Sequence, residues 1–222
     1  MDKNEKRINA SNVGPRGPIV EHRDIATALT PPHHEAMATS LTTTSADIVS
    51  FWREAGPDKW YAKDDAFDAA ISARFRAVHE AAASGLLWSW EETAEGALAL
   101  LILLDQFPRN LFRGSAHAFA TDVSALNVAD RAIARGFDKQ TDGALKQFFY
   151  LPMMHAESLT AQERCLAAFQ QLGAGFENNV KYAQVHLDII RRFGRFPHRN
   201  VLFGRATTSE EQAFLDGGGF AG

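Results

Sequence analysis

The sequence has one cysteine, no long apolar run and no glycine-rich nucleotide-binding motif. Because Cys165 is alone, no internal disulfide can form, and a cytoplasmic location is expected. The longest apolar run, Ala97 to Leu104, is far shorter than the roughly 18 residues of a membrane span, so no membrane segment is predicted. Without a G-x-G-x-x-G or P-loop pattern, a nucleotide held by a glycine-rich turn is not expected.

A strong charge of either sign is also missing. The chain has 23 Lys and Arg against 27 Asp and Glu, which gives a formal net charge of −4. Such a balance provides no broad positive field that would attract nucleic acid or an anionic membrane, so neither partner is predicted. Any recognition of anions must therefore come from a local group of basic residues.

Aromatic residues are absent before Phe51, and four of the eight prolines fall within residues 1–44. This composition predicts a disordered or loosely packed N-terminal arm over 1–44. The rest of the chain is rich enough in apolar residues to form a packed core. We expect a single all-helical domain over 45–217 and a flexible tail over 218–222.

Alternating strand patterns are absent, whereas apolar residues recur at helical spacing from Ser45 onward. The fold class predicted is all-α, with about 7 to 9 helices. The run Ala97 to Leu104 is apolar on every face, which is typical of a buried central helix. The predicted helices cover about 46–55, 65–84, 89–107, 115–135, 143–150, 161–172, 176–193 and 209–215.

Two segments repeat Phe-Pro, Arg, Asn, Phe and Gly: DQFPRNLFRG from Asp105 and RFPHRNVLFGR from Arg195. A residue before proline is disfavoured in the α region, so the helices are expected to extend no further than Phe107 and Phe196. Each motif is then a corner between helices. We call them the first corner and the second corner.

The corners are rich in arginine, and Asp105 lies in the last turn of an apolar helix, where the dipole disfavours a carboxylate. From Arg191 to Arg205 there are five arginines and no acid, so this segment needs acidic partners from elsewhere or an anionic ligand. If the corners meet, they form a cavity for a carboxylate or phosphate. Alternatively, Asp–Arg pairs only lock the corners. The candidate ligand-binding residues are Asp105, Arg109, Asn110, Arg113, Arg195, His198, Arg199 and Asn200.

The candidate catalytic residues are His155, Glu157 and His186. His155 and Glu157 lie in LPMMHAES, a predicted loop or short turn after Pro152, and could act as acid and base. His186 borders an apolar helix face, where a hydrogen-bonded core histidine is the commoner role. Asp122 could join these residues or be an ordinary exposed acid. Since no H-E-x-x-H pattern occurs, no metal ligand is assigned.

Several stretches together resemble a bacterial protein family, the domain of unknown function 924, over about residues 46–217. The resemblance implies an all-helical fold similar to tetratricopeptide-like repeats and brings no established activity, catalytic residue or cofactor. In the family pattern, His-Ser-Glu is usual where this chain has His155-Ala156-Glu157, so a mechanism that needs a serine there is in doubt. The stretches are Phe51-Trp52, Trp60 to Asp68, Leu104 to Gly114, Ala118 to Asp122, Tyr150 to Ser158 and His186 to Arg205.

Three functional hypotheses remain open from the sequence. The first is a protein that binds a small anionic molecule between the corners, with hydrolytic or transfer chemistry if it is an enzyme. The second is a non-catalytic helical scaffold for a peptide or partner protein. The third is a metal-dependent hydrolase that uses His155, Glu157 and His186.

Overall fold

The computed structural model describes residues 42–220, and within this range it contains helices and no strand. The all-α prediction is therefore confirmed, and the similarity to tetratricopeptide-like repeats stays a prediction. The α-helices are α1 Ser45–Ala55, α2 Pro57–Trp60, α3 Asp65–Ala83, α4 Ala94–Leu101, α5 Phe107–Leu111, α6 Asp122–Ala134, α7 Leu151–His155, α8 Leu159–Leu172, α9 Glu177–Phe193 and α10 Ser209–Asp216. Short 3₁₀ turns cover Trp88–Glu92, Ala116–Phe119, Asp138–Gln140, Gly143–Phe149 and Pro197–Arg199, and a π-helical turn covers Ile102–Gln106.

The predicted N-terminal arm lies outside the described residues except for 42–44. Thr44 caps α1 through a capping box with Asp47. In the predicted flexible tail, the Phe220 ring centroid lies 4.5 Å from the imidazole of His186 and 5.5 Å from that of His198. The domain boundaries themselves stay predictions. Among the described helices, none combines the length and the apolar character needed to cross a membrane.

Hydroxyl side chains cap several helices. Thr93 caps α4 by accepting from the N–H of Gly96. Ser158 caps α8 by accepting from the N–H of Ala161. Both cap residues have an extended backbone, which is typical of an N-cap and lets the side-chain oxygen accept from the first turn. These caps set where α4 and α8 begin.

Helix α4 is the buried centre of the molecule. Every residue from Ala97 to Leu104 is at most 3% exposed, which confirms the predicted buried central helix. Helices α1 and α6 pack against α4. Beside α4, the ring of Trp52 contacts those of Phe107 and Phe148 edge-on, with centroids 5.6 and 5.7 Å apart. Such contacts bury large apolar areas and hold the elements around α4 in place.

The first corner does not interrupt the helix, so the prediction that the helix ends at Phe107 is wrong. Phe107 is in the α region, with φ −57 and ψ −36, and its N–H donates to the carbonyl of Ile102 in a π-helical turn. Pro108 then occupies the first turn of α5, where its missing N–H needs no partner. The wider turn lets the helical path pass the proline, and it brings Asp105 into the core.

The second corner follows the prediction more closely. Helix α9 ends at Phe193, and Gly194 adopts the left-handed conformation with φ 70. Phe196, before Pro197, is extended with φ −89 and ψ 109, as expected for a residue before proline. Two similar sequences therefore have different backbones, one a continuous helical path and the other a true break.

We expect Gly96→Ala to lower the free energy of unfolding by about 1 to 3 kcal/mol. A Cβ at this position would lie 2.1 Å from the carbonyl oxygen of Trp90, a backbone atom that cannot move without shifting the preceding 3₁₀ turn. Urea unfolding of the variant measures the change. The higher helix propensity of alanine acts in the opposite sense, so unchanged or increased stability would contradict the expected clash.

Candidate functional site

The most distinctive polar contact in the interior joins Asp105 to His155. Asp105 lies on the π-helical turn after α4, and His155 is the last residue of α7. The Oδ1 of Asp105 is 2.7 Å from Nδ1 of His155, and its Oδ2 accepts from Gln106 at 2.6 Å. Because an ionised carboxylate only accepts, Nδ1 of His155 donates, and Nε2 keeps its lone pair.

The segment predicted as a loop or short turn contains the short helix α7, and His155 is its last residue. Pro152 stands in the first turn of α7, a position that favours helix formation because no N–H is needed there. A helix end on a rigid core holds an imidazole in one orientation more firmly than a loop does. This explains how His155 can meet a carboxylate that comes from a distant part of the chain.

The environment changes the pKa values of both partners. Burial raises the pKa of Asp105, but the charges of His155 and Arg109 and the hydrogen bond from His155 outweigh it, so the net pKa is lowered. Burial and then the charge of Arg109 lower the pKa of His155, against the opposing effect of Asp105. At pH 7 the imidazole is therefore neutral, and Asp105 is held ionised there by the Nδ1–H donor and by Arg109.

The two corners meet at Asp122, the first residue of α6. Arg109 of the first corner donates from Nη2 to its carboxylate at 3.0 Å, and Arg199 of the second corner donates from Nη1 at 3.1 Å. Arg109 also donates to the carbonyl of Asp105 and lies 3.5 Å from its Oδ1. Both guanidinium groups lie over the ring of Phe119, at 5.6 and 4.3 Å from its centroid.

These contacts join five side chains, which we call the corner cluster: Asp105, Arg109, Asp122, His155 and Arg199. Its exposure is graded, because the side chains of Arg109 and His155 are 22% and 16% exposed, whereas those of Arg199 and Asp105 are 7% and 1% exposed. Within the described residues, the buried Nε of Arg199 has no hydrogen-bond partner. The side chain of Asp122 is 12% exposed, so the cluster faces solvent mainly through Arg109 and His155.

The remaining candidates of the first corner belong to a different contact. The amide of Asn110 donates to Asp68 Oδ1 at 2.8 Å, and Nε of Arg113 donates to Asp68 Oδ2 at 2.9 Å. Asp68 lies on α3, so these residues attach the first corner to that helix. The sequence offered no signal for this partner beyond its position as an acid in the first turn of α3.

Arg195 and Asn200 of the second corner meet at Glu211 of α10. Nε of Arg195 donates to Glu211 at 2.6 Å, and the amide of Asn200 donates at 3.3 Å. The hydrogen bond from Arg195 is the main reason that the pKa of Glu211 is lowered to about 2. His198 packs its ring against that of Phe196, with centroids 5.7 Å apart. These groups attach the second corner to α10.

The other two expected catalytic residues have separate partners. Glu157 pairs with Arg205 at 2.6 Å and accepts from the N–H of Phe196 at 2.8 Å. His186 donates from Nδ1 to the carbonyl of Tyr182, 2.8 Å away and one turn earlier on α9. His155 pairs with Asp105, so the three candidate catalytic residues have separate hydrogen-bond partners.

Over residues 42–220, no three His, Cys, Asp or Glu side chains are grouped as metal ligands would need to be. The metal-dependent hydrolase thus has no ligand group in this part of the chain.

Protein acids pair with all five arginines of the acid-free segment. Of these five, only Arg199 is buried, and the other four are at least partly exposed. The pairs of Arg191 and Arg192 are exposed and contribute little to stability. Arg195 instead pairs with a buried carboxylate, and Arg205 with a partly buried one. The pairs are Arg191–Asp188, Arg192–Glu210, Arg195–Glu211, Arg199–Asp122 and Arg205–Glu157.

Comparison with known proteins identifies a matching family and a similar solved structure. The profile of a bacterial protein family of unknown function (DUF924) matches residues 48–219. A solved structure of a protein of unknown function from Agrobacterium tumefaciens is 52% identical to this chain and covers 78% of it and 97% of its own length, with a TM-score of 0.75. No curated protein matches the chain.

Proposed function

We infer that this chain, which belongs to the bacterial family of unknown function DUF924, binds a small molecule with a carboxylate or phosphate group at the corner cluster. The observation that carries this proposal is the placement of Arg109 and His155. Both side chains are partly exposed, and both lie within 3.5 Å of the same oxygen, Oδ1, of the buried Asp105. Together they offer a guanidinium and an imidazole to one anionic group.

The buried members of the corner cluster support these two residues. Asp105 holds His155 through Nδ1 and contacts Arg109, so it fixes the orientation of both. Asp122 holds Arg109 against Arg199. A binding group that is fixed before its ligand arrives loses little conformational entropy on binding. The π-helical turn that carries Asp105 supports the proposal further, because such turns occur frequently at functional sites.

The same arrangement is suited to proton transfer. In His155, Nδ1 is bonded to a buried carboxylate, and Nε2 is the basic atom. An imidazole oriented in this way by a carboxylate is a common general base and acid. We therefore propose hydrolytic or group-transfer chemistry for any reaction at this site, with Arg109 holding the anionic group and Nε2 of His155 moving the proton.

Binding is tested by thermal unfolding of the full chain with sulfate, phosphate, formate and acetate. An anion present at about 100 times its dissociation constant should stabilise the wild type by roughly 2.7 kcal/mol. We expect this stabilisation to vanish in Arg109→Gln, because the variant loses the charge that faces the ligand.

Arg113→Gln is the matched control, since Arg113 is an arginine of the same corner that pairs with Asp68 instead. It should keep the full stabilisation. If the wild type is not stabilised by any of the four anions, or if Arg109→Gln is stabilised as much as the wild type, the proposal is wrong.

A further inference from the structure

The corner cluster carries equal numbers of fixed positive and negative groups. Arg109 and Arg199 contribute two positive charges, and Asp105 and Asp122 contribute two negative ones. Both oxygens of Asp122 accept hydrogen bonds from guanidinium groups. Burial raises the pKa of this carboxyl group, and the charges of Arg109 and Arg199 oppose that effect and favour the ionised form. With a neutral His155, the cluster has no net charge.

On the basis of the proposed function, we propose that the corner cluster binds its anion together with one proton, which Nε2 of His155 takes up. An anion that enters beside Arg109 adds a negative charge to a group that is otherwise balanced and mostly buried. Leaving this charge uncompensated in a poorly solvated place is costly. One proton on the cluster restores the balance.

His155 is the member of the cluster with a free basic atom. The two arginines are already protonated at neutral pH. The oxygens of Asp105 accept from His155 and Gln106, and those of Asp122 accept from the arginines. Nε2 of His155 retains its lone pair, and the side chain that carries it is 16% exposed. The proton therefore forms one N–H bond at Nε2, and no other bond forms or breaks.

The charged and titratable groups that act on His155 agree with this charge count. Asp105 and Arg109 face it from the first corner, and Asp122 faces it from α6. His186 approaches it from α9, and burial lowers the pKa of His186 to about 4, so it is neutral at pH 7. Arg199, from the second corner, is the other positively charged member of the cluster. None of these groups supplies an extra positive charge that would replace the proton.

The charge balance of the corner cluster indicates which class of ligand it binds. A monoanion, such as a carboxylate or a singly charged phosphate ester, is neutralised by one proton on His155. A dianion leaves one negative charge over, so it should bind more weakly at neutral pH. The bound ligand would then face an imidazolium, which donates a hydrogen bond to it and is poised to act as a general acid.

The test is isothermal titration calorimetry of the full chain with formate and with sulfate, each in two buffers of different ionisation enthalpy. Between about pH 5.5 and pH 8 neither ion takes up a proton itself, so the buffer dependence counts the protons that the protein binds. We expect uptake of close to one proton per formate at pH 7.5. Formate affinity should rise by up to tenfold for each unit that the pH falls, until His155 is protonated without ligand. Formate should also bind more tightly than sulfate at pH 7.5.

Two histidine variants assign the proton. His155→Gln keeps a side chain that can donate to Asp105 but cannot be protonated, so proton uptake or binding itself should be lost. His117→Gln, at an exposed histidine outside the cluster, should behave as the wild type.

Formate binding without proton uptake would overturn the inference and leave the proposed function standing. Uptake that persists in His155→Gln would assign the proton to another group, and tighter sulfate binding would contradict the ligand class. If neither formate nor sulfate binds, the inference is overturned. The proposed function is overturned as well if phosphate and acetate also fail to stabilise the wild type.

Discussion

Asp122→Ala is expected to lower the free energy of unfolding by about 3 to 5 kcal/mol, because it leaves a buried charge without its partner. The carboxylate of Asp122 is shared by two guanidinium groups, at 3.0 Å from Arg109 and 3.1 Å from Arg199. Arg109 can turn toward solvent and keeps its contact with Asp105. Arg199 has no such route, since its side chain is 7% exposed and Asp122 is its ion-pair partner. Most of the loss therefore arises at Arg199.

Urea unfolding measures this loss, and the same helix offers a matched control. Asp130, also on α6, pairs with Arg164 on the surface at 2.7 Å, and both side chains are exposed. Asp130→Ala should cost less than about 1 kcal/mol, as exposed ion pairs do. Equal and small losses in the two variants would mean that Arg199 reaches solvent when Asp122 is removed, which would contradict the buried position of its side chain.

Acidification from pH 7 to pH 5 is expected to lower the free energy of unfolding by about 3 to 4 kcal/mol. Burial lowers the pKa of both His186 and His198 from 6.5 to about 4. Below pH 6.5 the unfolded chain therefore binds protons at these positions, whereas the folded chain does not until the pH approaches 4. The stability that they contribute is complete above pH 6.5 and is lost as the pH falls through this window. At pH 5 each histidine accounts for roughly 2 kcal/mol.

The pH dependence is measured by urea unfolding at pH 7, 6 and 5. The double variant His186→Gln and His198→Gln should show a much smaller fall between pH 7 and pH 5, and the exposed His117→Gln should fall as the wild type does. The lowered pKa of His79 and that of His155 act in the same direction, so some fall should remain in the double variant. Stability that is constant or rises on acidification would show that the two rings are accessible to protons in the folded state.

Helix positions were largely predictable, because they depend on local periodicity and on caps that lie next to each helix. The buried run Ala97 to Leu104 is the clearest example, since residues that are apolar on every face have no solvent side. The prediction that the helix ends at the first corner is wrong for a physical reason. The rule for residues before proline describes a steric preference of one dipeptide, whereas a π-helical turn spreads the distortion over several residues and keeps Phe107 helical. The steric preference of the residue before proline therefore does not prevent a helix from continuing through a π-helical turn.

The candidate site was only partly predictable. The sequence indicated that the arginines of the corners need acids, and it included Asp105, Arg109, His155 and Arg199 among the candidates. It did not identify Asp122 as the acid shared by both corners, although Asp122 was considered. It also grouped Glu157 with His155, which are neighbours in sequence, whereas Glu157 pairs with Arg205 and His155 with Asp105. A sequence motif suggests interactions between residues that are close in the chain, and it does not show pairs that form between distant segments.

The sequence by itself therefore determined the all-helical class, the central position of α4 and the types of residue that gather at the two corners. These properties follow from apolar spacing and from side-chain chemistry, which act over a few residues. Only the tertiary structure decided which acid meets which base. An ion pair such as that of Arg199 with Asp122 joins residues from distant parts of the chain, and their distance depends on how α6 and the second corner pack, which no local pattern records.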